Sequence, residues 1–163
     1  MDHQDTADEV SDRGFRSVMA GLPSSVVVVT TVDPEGGPQG VTCSTLCAVS
    51  QDPPLLLVCI PNDSRTLAAL QDRGLFVVNM LHKHGDDAAR VFAAEGHFRS
   101  VLWAPSRRDK LPLLIDDAHC VAECRVWSVV AAGDHTVVIG EVRSYEKLRS
   151  VAPLLSVPPE VSA

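Results

Sequence analysis

The sequence lacks the features that mark several classes of protein. No apolar run approaches the roughly 20 residues that a membrane-spanning helix needs, and the acidic N-terminus has no apolar segment typical of a signal peptide. Five of the 21 acidic residues precede Arg13, which leaves 16 acids against 14 Lys and Arg residues in the rest of the chain. Such a nearly neutral body has no basic stripe for nucleic acid. We therefore expect neither a membrane nor a nucleic acid as a partner.

Common catalytic and metal-binding motifs are also absent. The chain has no G-x-S-x-G, no Walker loop and no G-x-G-x-x-G after a strand. The pairs Cys43/Cys47 and Cys120/Cys124 have i, i+4 spacing, which on a strand separates the two thiols by roughly 13 Å. A zinc pair lies closer together, so the prediction is buried thiols and no metal site. Five cysteines without a secretory signal favour a reducing, cytoplasmic location.

The sequence does contain a series of short β-branched and apolar segments separated by turn residues. Predicted strands cover residues 26–32, 41–49, 55–60, 75–81, 118–130 and 135–145. Short helices are predicted near residues 15–22, 64–72 and 86–95, with Gly74 and Gly96 after the last two. We expect residues 1–12 to be a disordered acidic tail, 13–150 one domain and 151–163 an irregular tail. The pattern predicts a mainly β fold, as a largely antiparallel barrel or sandwich.

Residues 40–60 form the central stretch, in which a Thr- and Ser-rich strand and a turn at Pro53 and Pro54 precede an apolar strand. The hydroxyls indicate either a polar ligand or only a half-exposed strand. Ser64, Arg65 and Thr66 open a predicted helix, where free amides, the helix dipole and a guanidinium suit a phosphate. The alternative is that Ser64 only caps the helix.

His135 opens the last predicted strand, just after the turn at Gly133 and Asp134. A histidine at the mouth of a strand can reach into a pocket at the end of a barrel. It can equally lie in a solvated turn, and the residues alone leave both interpretations open.

Short motifs occur in a defined order along residues 15–142. They are Phe15-Arg16, residues 26–31, Gly40-Val41-Thr42-Cys43-Ser44, Val49-Ser50, Ser64-Arg65-Thr66, Phe76-Val77-Val78-Asn79, Gly133-Asp134-His135 and Gly140-Glu141-Val142. In this order and spacing the chain resembles the flavin reductase-like family, the small FMN-binding split-barrel proteins that serve two-component monooxygenases. The resemblance implies a six-stranded antiparallel Greek-key split β-barrel with short flanking helices. It also implies a homodimer with flavin near the subunit interface.

The resemblance also implies a set of site residues. The residues that would line the flavin are Thr42, Cys43, Ser44, Thr45 and Ser50. Its phosphate would be held by Ser64, Arg65 and Thr66, and its ring or ribityl chain would be flanked by Asn79 and Leu81. His135 would lie beside the nicotinamide. The implied ligands are FMN or FAD, with NADH or NADPH as the reductant. Cys43 and Leu46 depart from the family pattern, and aromatic residues make up only 4% of the chain.

These features predict an NAD(P)H:flavin oxidoreductase. Hydride would pass from the nicotinamide C4 to the flavin N5, and the reduced flavin would leave for a partner flavin-dependent monooxygenase. The alternative is a flavin-binding protein of the same fold, such as a carrier or another biosynthetic flavoenzyme, that does not reduce free flavin. Oxidation of NAD(P)H that depends on added flavin separates the two.

Overall fold

The computed structural model describes residues 11–94 and 98–156, which form a curled antiparallel sheet with three flanking helices in the described ranges. The helices are α1 (Asp12–Ala20), α2 (Arg65–Arg73) and α3 (Asp86–Ala93), and a 3-10 turn spans Phe98–Ser100. The strands are β1 (Ser24–Ser25), β2 (Val27–Val32), β3 (Pro38–Cys43), β4 (Leu46–Gln51), β5 (Pro54–Pro61), β6 (Leu75–Leu81), β7 (Ala104–Pro105), β8 (Pro112–Leu113), β9 (Ala118–Ala132), β10 (His135–Lys147) and β11 (Leu155–Ser156). None of the described helices is long and apolar enough to cross a membrane.

Seven strands form the main sheet, in the order β3-β2-β6-β9-β10-β5-β4, and every pair is antiparallel. Strands β3 and β4 lie at opposite edges of this sheet, yet only Ser44 and Thr45 join them. Because a residue spans at most about 3.6 Å, the sheet must curl until its two edges come close together. The edges meet where β3 approaches β5, which makes the sheet a barrel.

The interior of the barrel is filled by buried apolar side chains from every strand of the main sheet except the edge strand β4, which contributes only the half-buried Leu46. Helix α2 closes part of the barrel, because Leu67 and Leu70 on one of its faces join this core while Arg65 remains exposed. Gly74 ends the helix in a left-handed conformation at φ 69°, which a residue with a side chain rarely adopts. The packing of Leu67 in the core holds the first turn of α2 against the barrel.

A second apolar cluster packs outside the barrel, around the aromatic rings of Phe92 and Phe98. Phe92 lies on α3, and its ring centroid is 4.9 Å from that of Phe98, in an edge-to-face arrangement. Phe98 in turn meets Trp103 at 5.7 Å. Offset and edge-to-face rings of this kind stabilise a packing beyond the apolar area that they bury.

The mainly β, antiparallel prediction is confirmed, but several boundaries differ from it. The predicted strand over residues 41–49 is two strands, because the chain crosses from one sheet edge to the other at Ser44 and Thr45 and cannot hold one ladder there. The main sheet therefore has seven strands instead of six. Strand β5 alternates between buried and half-buried residues, as expected for a strand with only one face on the barrel interior.

The C-terminal residues in the described range also differ from the irregular tail that we predicted. Residues 155–156 form β11, which pairs with β1, and Pro153 bridges to His82. These contacts join residues far apart in the sequence, which a local pattern does not encode. Residues 1–10 and 157–163, and the predicted helix end at Glu95 and Gly96, lie outside the described residues. The domain boundaries stay predictions.

Candidate functional site

A groove of about 670 Å³ lies where the first turn of α2, strand β3 and the end of α3 come together. Its lining residues are Pro38, Gln39, Gly40, Val41, Pro61, Asp63, Ser64, Arg65, Thr66, Phe92, Ala93, Phe98 and Arg99. Its volume lies within the range of about 300–1,000 Å³ that is typical of small-molecule sites. The groove is therefore large enough for a nucleotide-sized ligand.

The first turn of α2 supplies one wall of the groove. Ser64 occupies the N-cap position, but in the described part of the chain its hydroxyl makes no capping hydrogen bond to the helix. The first turn carries no acidic residue, and the amides at the start of a helix have no partner within the helix. Two hydroxyls, from Ser64 and Thr66, and the Arg65 guanidinium thus meet at a positive helix end. This donor set matches the chemistry of a phosphate group.

Strand β3 forms the floor of the groove, and the rings of Phe92 and Phe98 form an aromatic wall that packs tightly on it. Gly40 in β3 lies against Phe92, since a Cβ atom added at Gly40 would be 2.8 Å from the Phe92 ring and 3.3 Å from that of Phe98. A side chain at this position would therefore displace one of the two rings. The glycine lets the aromatic wall pack directly on the backbone of the floor.

Asn62 connects this groove to the turn between β9 and β10. Its side-chain amide donates to the Gly133 carbonyl at 2.9 Å, and its Oδ1 accepts from the Thr136 hydroxyl at 2.8 Å. The Asn62 backbone N–H also donates to the Asp134 carbonyl at 3.0 Å. Since His135 pairs with Pro61 in the sheet, this set of bonds holds His135 next to the groove wall.

The ring of His135 is oriented by its neighbour. Its Nδ1 lies 2.8 Å from Oδ1 of Asp134. The hydrogen bond from His135, its charge when protonated, and the guanidinium of Arg16 all lower the pKa of the Asp134 carboxyl. Because an ionised carboxylate can only accept, Nδ1 carries the proton, and Nε2 is the ring nitrogen that remains for a ligand.

The hydroxyl-rich stretch from Thr42 to Ser50 lies beside the groove, outside the residues that line it. The Thr42 hydroxyl donates to the Ala89 carbonyl at 2.7 Å. Ser44 and Thr45 form the exposed connection between the two sheet edges, and Ser50 is half-buried in β4. Their contact with flavin, which the resemblance implies, stays a prediction.

Cys43 points into the barrel and is 4% exposed, so any contact with a ligand would come from its backbone. Burial, and then the nearby Cys59, raise the pKa of the Cys43 thiol to about 12. All five cysteines are free thiols. The described residues contain no group of three or more His, Cys, Asp or Glu that could hold a metal ion.

Asn79 and Leu81 lie in the core and do not reach the groove. The Asn79 amide donates to the Val28 carbonyl at 3.1 Å and to the Thr30 hydroxyl at 2.9 Å, while its Oδ1 accepts from the Leu114 N–H at 2.9 Å. Leu81 belongs to the cluster behind Phe92. In this arrangement both residues contribute to packing, and the flavin contacts that the resemblance implies for them stay predictions.

Several residues of the site were not predicted from the sequence. Gln39, Phe92, Phe98 and Arg99 line the groove, and Asn62 fixes its edge. Phe98 and Arg99 fall in a stretch without clear periodicity, so only the tertiary structure reveals them. Asn62 carried a signal, because it lies two residues before Ser64, at the helix start predicted as a phosphate site.

A family model described as "Flavin reductase like domain" matches residues 19–157 of the chain. A relative named "Flavin reductase (NADH)" from Kitasatospora aureofaciens is 50% identical over 130 residues, which cover 78% of this chain and 68% of the relative. A second, named "Flavin reductase (NADPH)" from Lentzea aerocolonigenes, is 43% identical over 135 residues, covering 82% of this chain and 79% of the relative.

Solved structures agree with these relatives. An NADH:FAD oxidoreductase from Streptomyces globisporus, solved with NAD and FAD fragments, superposes with a TM-score of 0.84 and 30% identity over 93% of each chain. Nitrilotriacetate monooxygenase component B from Mycobacterium thermoresistibile gives a TM-score of 0.81 and 35% identity over 88% of this chain and 80% of its own. The curled sheet is thus the split barrel of these flavin reductases. With the family model covering most of its length, this protein belongs to the flavin reductase-like family.

Proposed function

We propose that this protein is an NAD(P)H:flavin oxidoreductase that supplies reduced flavin to a partner monooxygenase. The observation that carries the proposal is the groove at the first turn of α2, where Ser64, Arg65 and Thr66 converge beside an apolar wall. Its residues fit a flavin, because the hydroxyls, amides and guanidinium match a phosphate and the apolar wall suits an aromatic ring system. Bound in this groove, a flavin would supply the acceptor for a hydride from the nicotinamide.

In this proposal the protein contributes binding and orientation. Ser64 and Thr66 donate hydroxyl hydrogen bonds to the flavin phosphate, and Arg65 adds a charge-assisted contact. His135 serves the nicotinamide side, since the Asn62 bonds hold it at the edge of the groove and Asp134 fixes the proton on Nδ1. No side chain needs to transfer a proton for the hydride step itself.

The names of the relatives support both parts of the proposal. Two relatives named flavin reductases, one for NADH and one for NADPH, support the reaction and leave the choice of nicotinamide open. The structural relative named as component B of a monooxygenase supports a role as the reductase component of a two-component system.

The direct test follows absorbance at 340 nm with the purified protein, NADH or NADPH, and FMN, FAD or riboflavin added in turn. We expect oxidation of at least one nucleotide that depends on added flavin. His135→Ala should then raise the KM for the nicotinamide more than that for the flavin, whereas equal effects on both would remove its assigned role. A protein that quenches flavin fluorescence but oxidises neither nucleotide would instead be a flavin-binding protein without reductase activity.

We also propose that the protein is a homodimer. Helix α1 buries none of its residues, and Phe15, Val18 and Met19 on the helix and Leu22 just after it are exposed by 58%, 71%, 45% and 59%. A contiguous apolar face of this kind favours a protein partner. A second copy of the chain is the partner that the flavin reductase resemblance implies.

The dimer is tested by the sedimentation velocity of the wild-type protein and of the double variant Phe15→Glu/Val18→Glu. A wild-type dimer that becomes a folded monomer in the variant supports the assignment. A wild-type monomer across micromolar concentrations contradicts it. Arg73→Ala, on the exposed end of another helix, serves as the control that should not alter the mass.

A further inference from the structure

A second arginine, Arg99, lines the groove, and binding of one flavin phosphate at the start of α2 does not require it. Arg99 lines the same cavity as Arg65, but it lies on the 3-10 turn Phe98–Ser100 and not on α2. Its side chain is exposed, and within the described ranges it forms no ion pair or hydrogen bond. An arginine in a ligand groove that serves no internal contact is a candidate for contacting the ligand.

The backbone at Arg99 is fixed by its neighbour. Phe98 is 8% exposed and lies between the rings of Phe92 and Trp103, at 4.9 and 5.7 Å. The same Phe98 belongs to the aromatic wall of the groove and lies against Gly40 of its floor. The chain therefore presents Arg99 at the groove from an anchored position, although the turn itself is only three residues long.

The charge of the groove lining is positive. Arg65 and Arg99 carry two positive charges against the single carboxylate of Asp63 among the lining residues. One guanidinium and the start of α2 already match a single phosphate group. A second guanidinium from a different element of the same lining suits a ligand with two phosphates in a row, because each arginine can then contact one of them.

We propose that Arg99 is a specificity-determining residue that selects a dinucleotide through the second phosphate of its diphosphate. This inference rests on the proposed function, because it assigns the ligand class of the same groove. The diphosphate can belong to FAD or to the nicotinamide dinucleotide, and the shared chemistry is a diphosphate held between Arg65 and Arg99. FMN and riboflavin do not carry this group.

The test is isothermal titration calorimetry of wild-type protein, Arg99→Ala and Arg99→Lys with FAD, FMN, riboflavin and NAD⁺. For Arg99→Ala we expect roughly tenfold weaker binding of the diphosphate ligand, about 1.4 kcal/mol, and changes below about twofold for FMN and riboflavin. Arg99→Lys should restore part of the affinity, since it keeps the charge. Weakened FAD identifies the flavin as the source of the diphosphate, and weakened NAD⁺ with unchanged FAD identifies the nicotinamide dinucleotide.

Arg73→Ala is the matched control, because Arg73 is an exposed arginine at the far end of α2, outside the groove. Unchanged FAD and NAD⁺ affinity in Arg99→Ala, or equal weakening of FMN and FAD, would overturn the inference. A wild-type protein that reduces flavin while Arg99→Ala binds every ligand normally would refute the inference alone. A wild-type protein that binds neither flavin nor nicotinamide would refute the proposed function together with it.

Discussion

The family resemblance implies that Asn79 and Ser64 both contact the flavin, but the structure gives the two side chains different hydrogen-bond partners. The Asn79 side chain is fully buried and uses both its amide and its carbonyl oxygen for hydrogen bonds inside the core. Ser64 lies at a helix start, and in the described residues its hydroxyl makes no bond to its own helix. The difference teaches that a polar residue's partners, more than its place in a motif, separate a structural role from a binding role.

The largest effect that would test this comparison is on stability, at Asn79. Asn79→Ala should lower the free energy of unfolding by roughly 2–4 kcal/mol, because each buried polar group that loses its partner costs about 1–3 kcal/mol. Urea unfolding measures the loss. Gln71→Ala is the control at an exposed amide on α2 and should change the free energy of unfolding by less than about 0.5 kcal/mol. If the folded Asn79→Ala protein were stable but lost flavin affinity, the core assignment would be wrong.

The next effect is on ligand affinity, at Arg65. Arg65→Ala should weaken flavin phosphate binding by about 1.5–3 kcal/mol, as is typical of a hydrogen bond to a charged group. Calorimetric titration with FMN measures the change, and the affinity for riboflavin should stay nearly constant because it has no phosphate. An unchanged FMN affinity would show that the phosphate lies elsewhere.

A smaller effect separates capping from binding at Ser64. Ser64→Ala should leave the free energy of unfolding within about 0.5 kcal/mol of wild type, since the hydroxyl makes no capping bond in the described structure. Flavin affinity should fall by about 0.5–1.5 kcal/mol, the net value of a neutral hydrogen bond. The opposite result, lower stability with unchanged affinity, would restore the capping role that we kept as the alternative.

The smallest effect is a dependence of stability on pH from His119, the second residue of β9. Burial, and then the charges of His82 and Lys147, lower the pKa of His119 below its ordinary value of 6.5. The unfolded chain therefore takes up this proton first, and stability falls as the pH drops below about 6.5. Thermal unfolding from pH 7.5 to 5.5 should show this fall, and His119→Gln should flatten it. A wild-type midpoint that does not change in this range would contradict the assignment.

Much of the fold was predictable because local patterns decide it. Strand β6 was predicted with its exact bounds, since residues 75–81 form an apolar run that begins after the left-handed Gly74. The crossing between β3 and β4 was missed because Ser44 and Thr45 are not strong turn residues. Only the long-range pairing of β3 with β2 and of β4 with β5 requires the break.

The residues of the site also differ in whether the sequence alone predicts them. The residues from Ser64 to Thr66 were found from sequence because a helix start and its donors are local features. Arg99 was missed because the stretch around it has no clear periodicity, and its place in the groove depends on how Phe98 packs between the rings of Phe92 and Trp103. Asn79 illustrates the reverse, since its position in an otherwise apolar strand does not reveal that three backbone and hydroxyl groups surround it.

The bonds of Asn62 have a mechanical consequence. Through this one side chain and its backbone N–H, the loop before α2 and the turn before β10 are joined at three points. These bonds restrict the motion of the two loops relative to each other, and with it changes in the spacing between the start of α2 and His135. The joined loops would therefore keep a ligand at the start of α2 and a ligand beside His135 at a nearly constant separation, which a hydride transfer over a short distance requires.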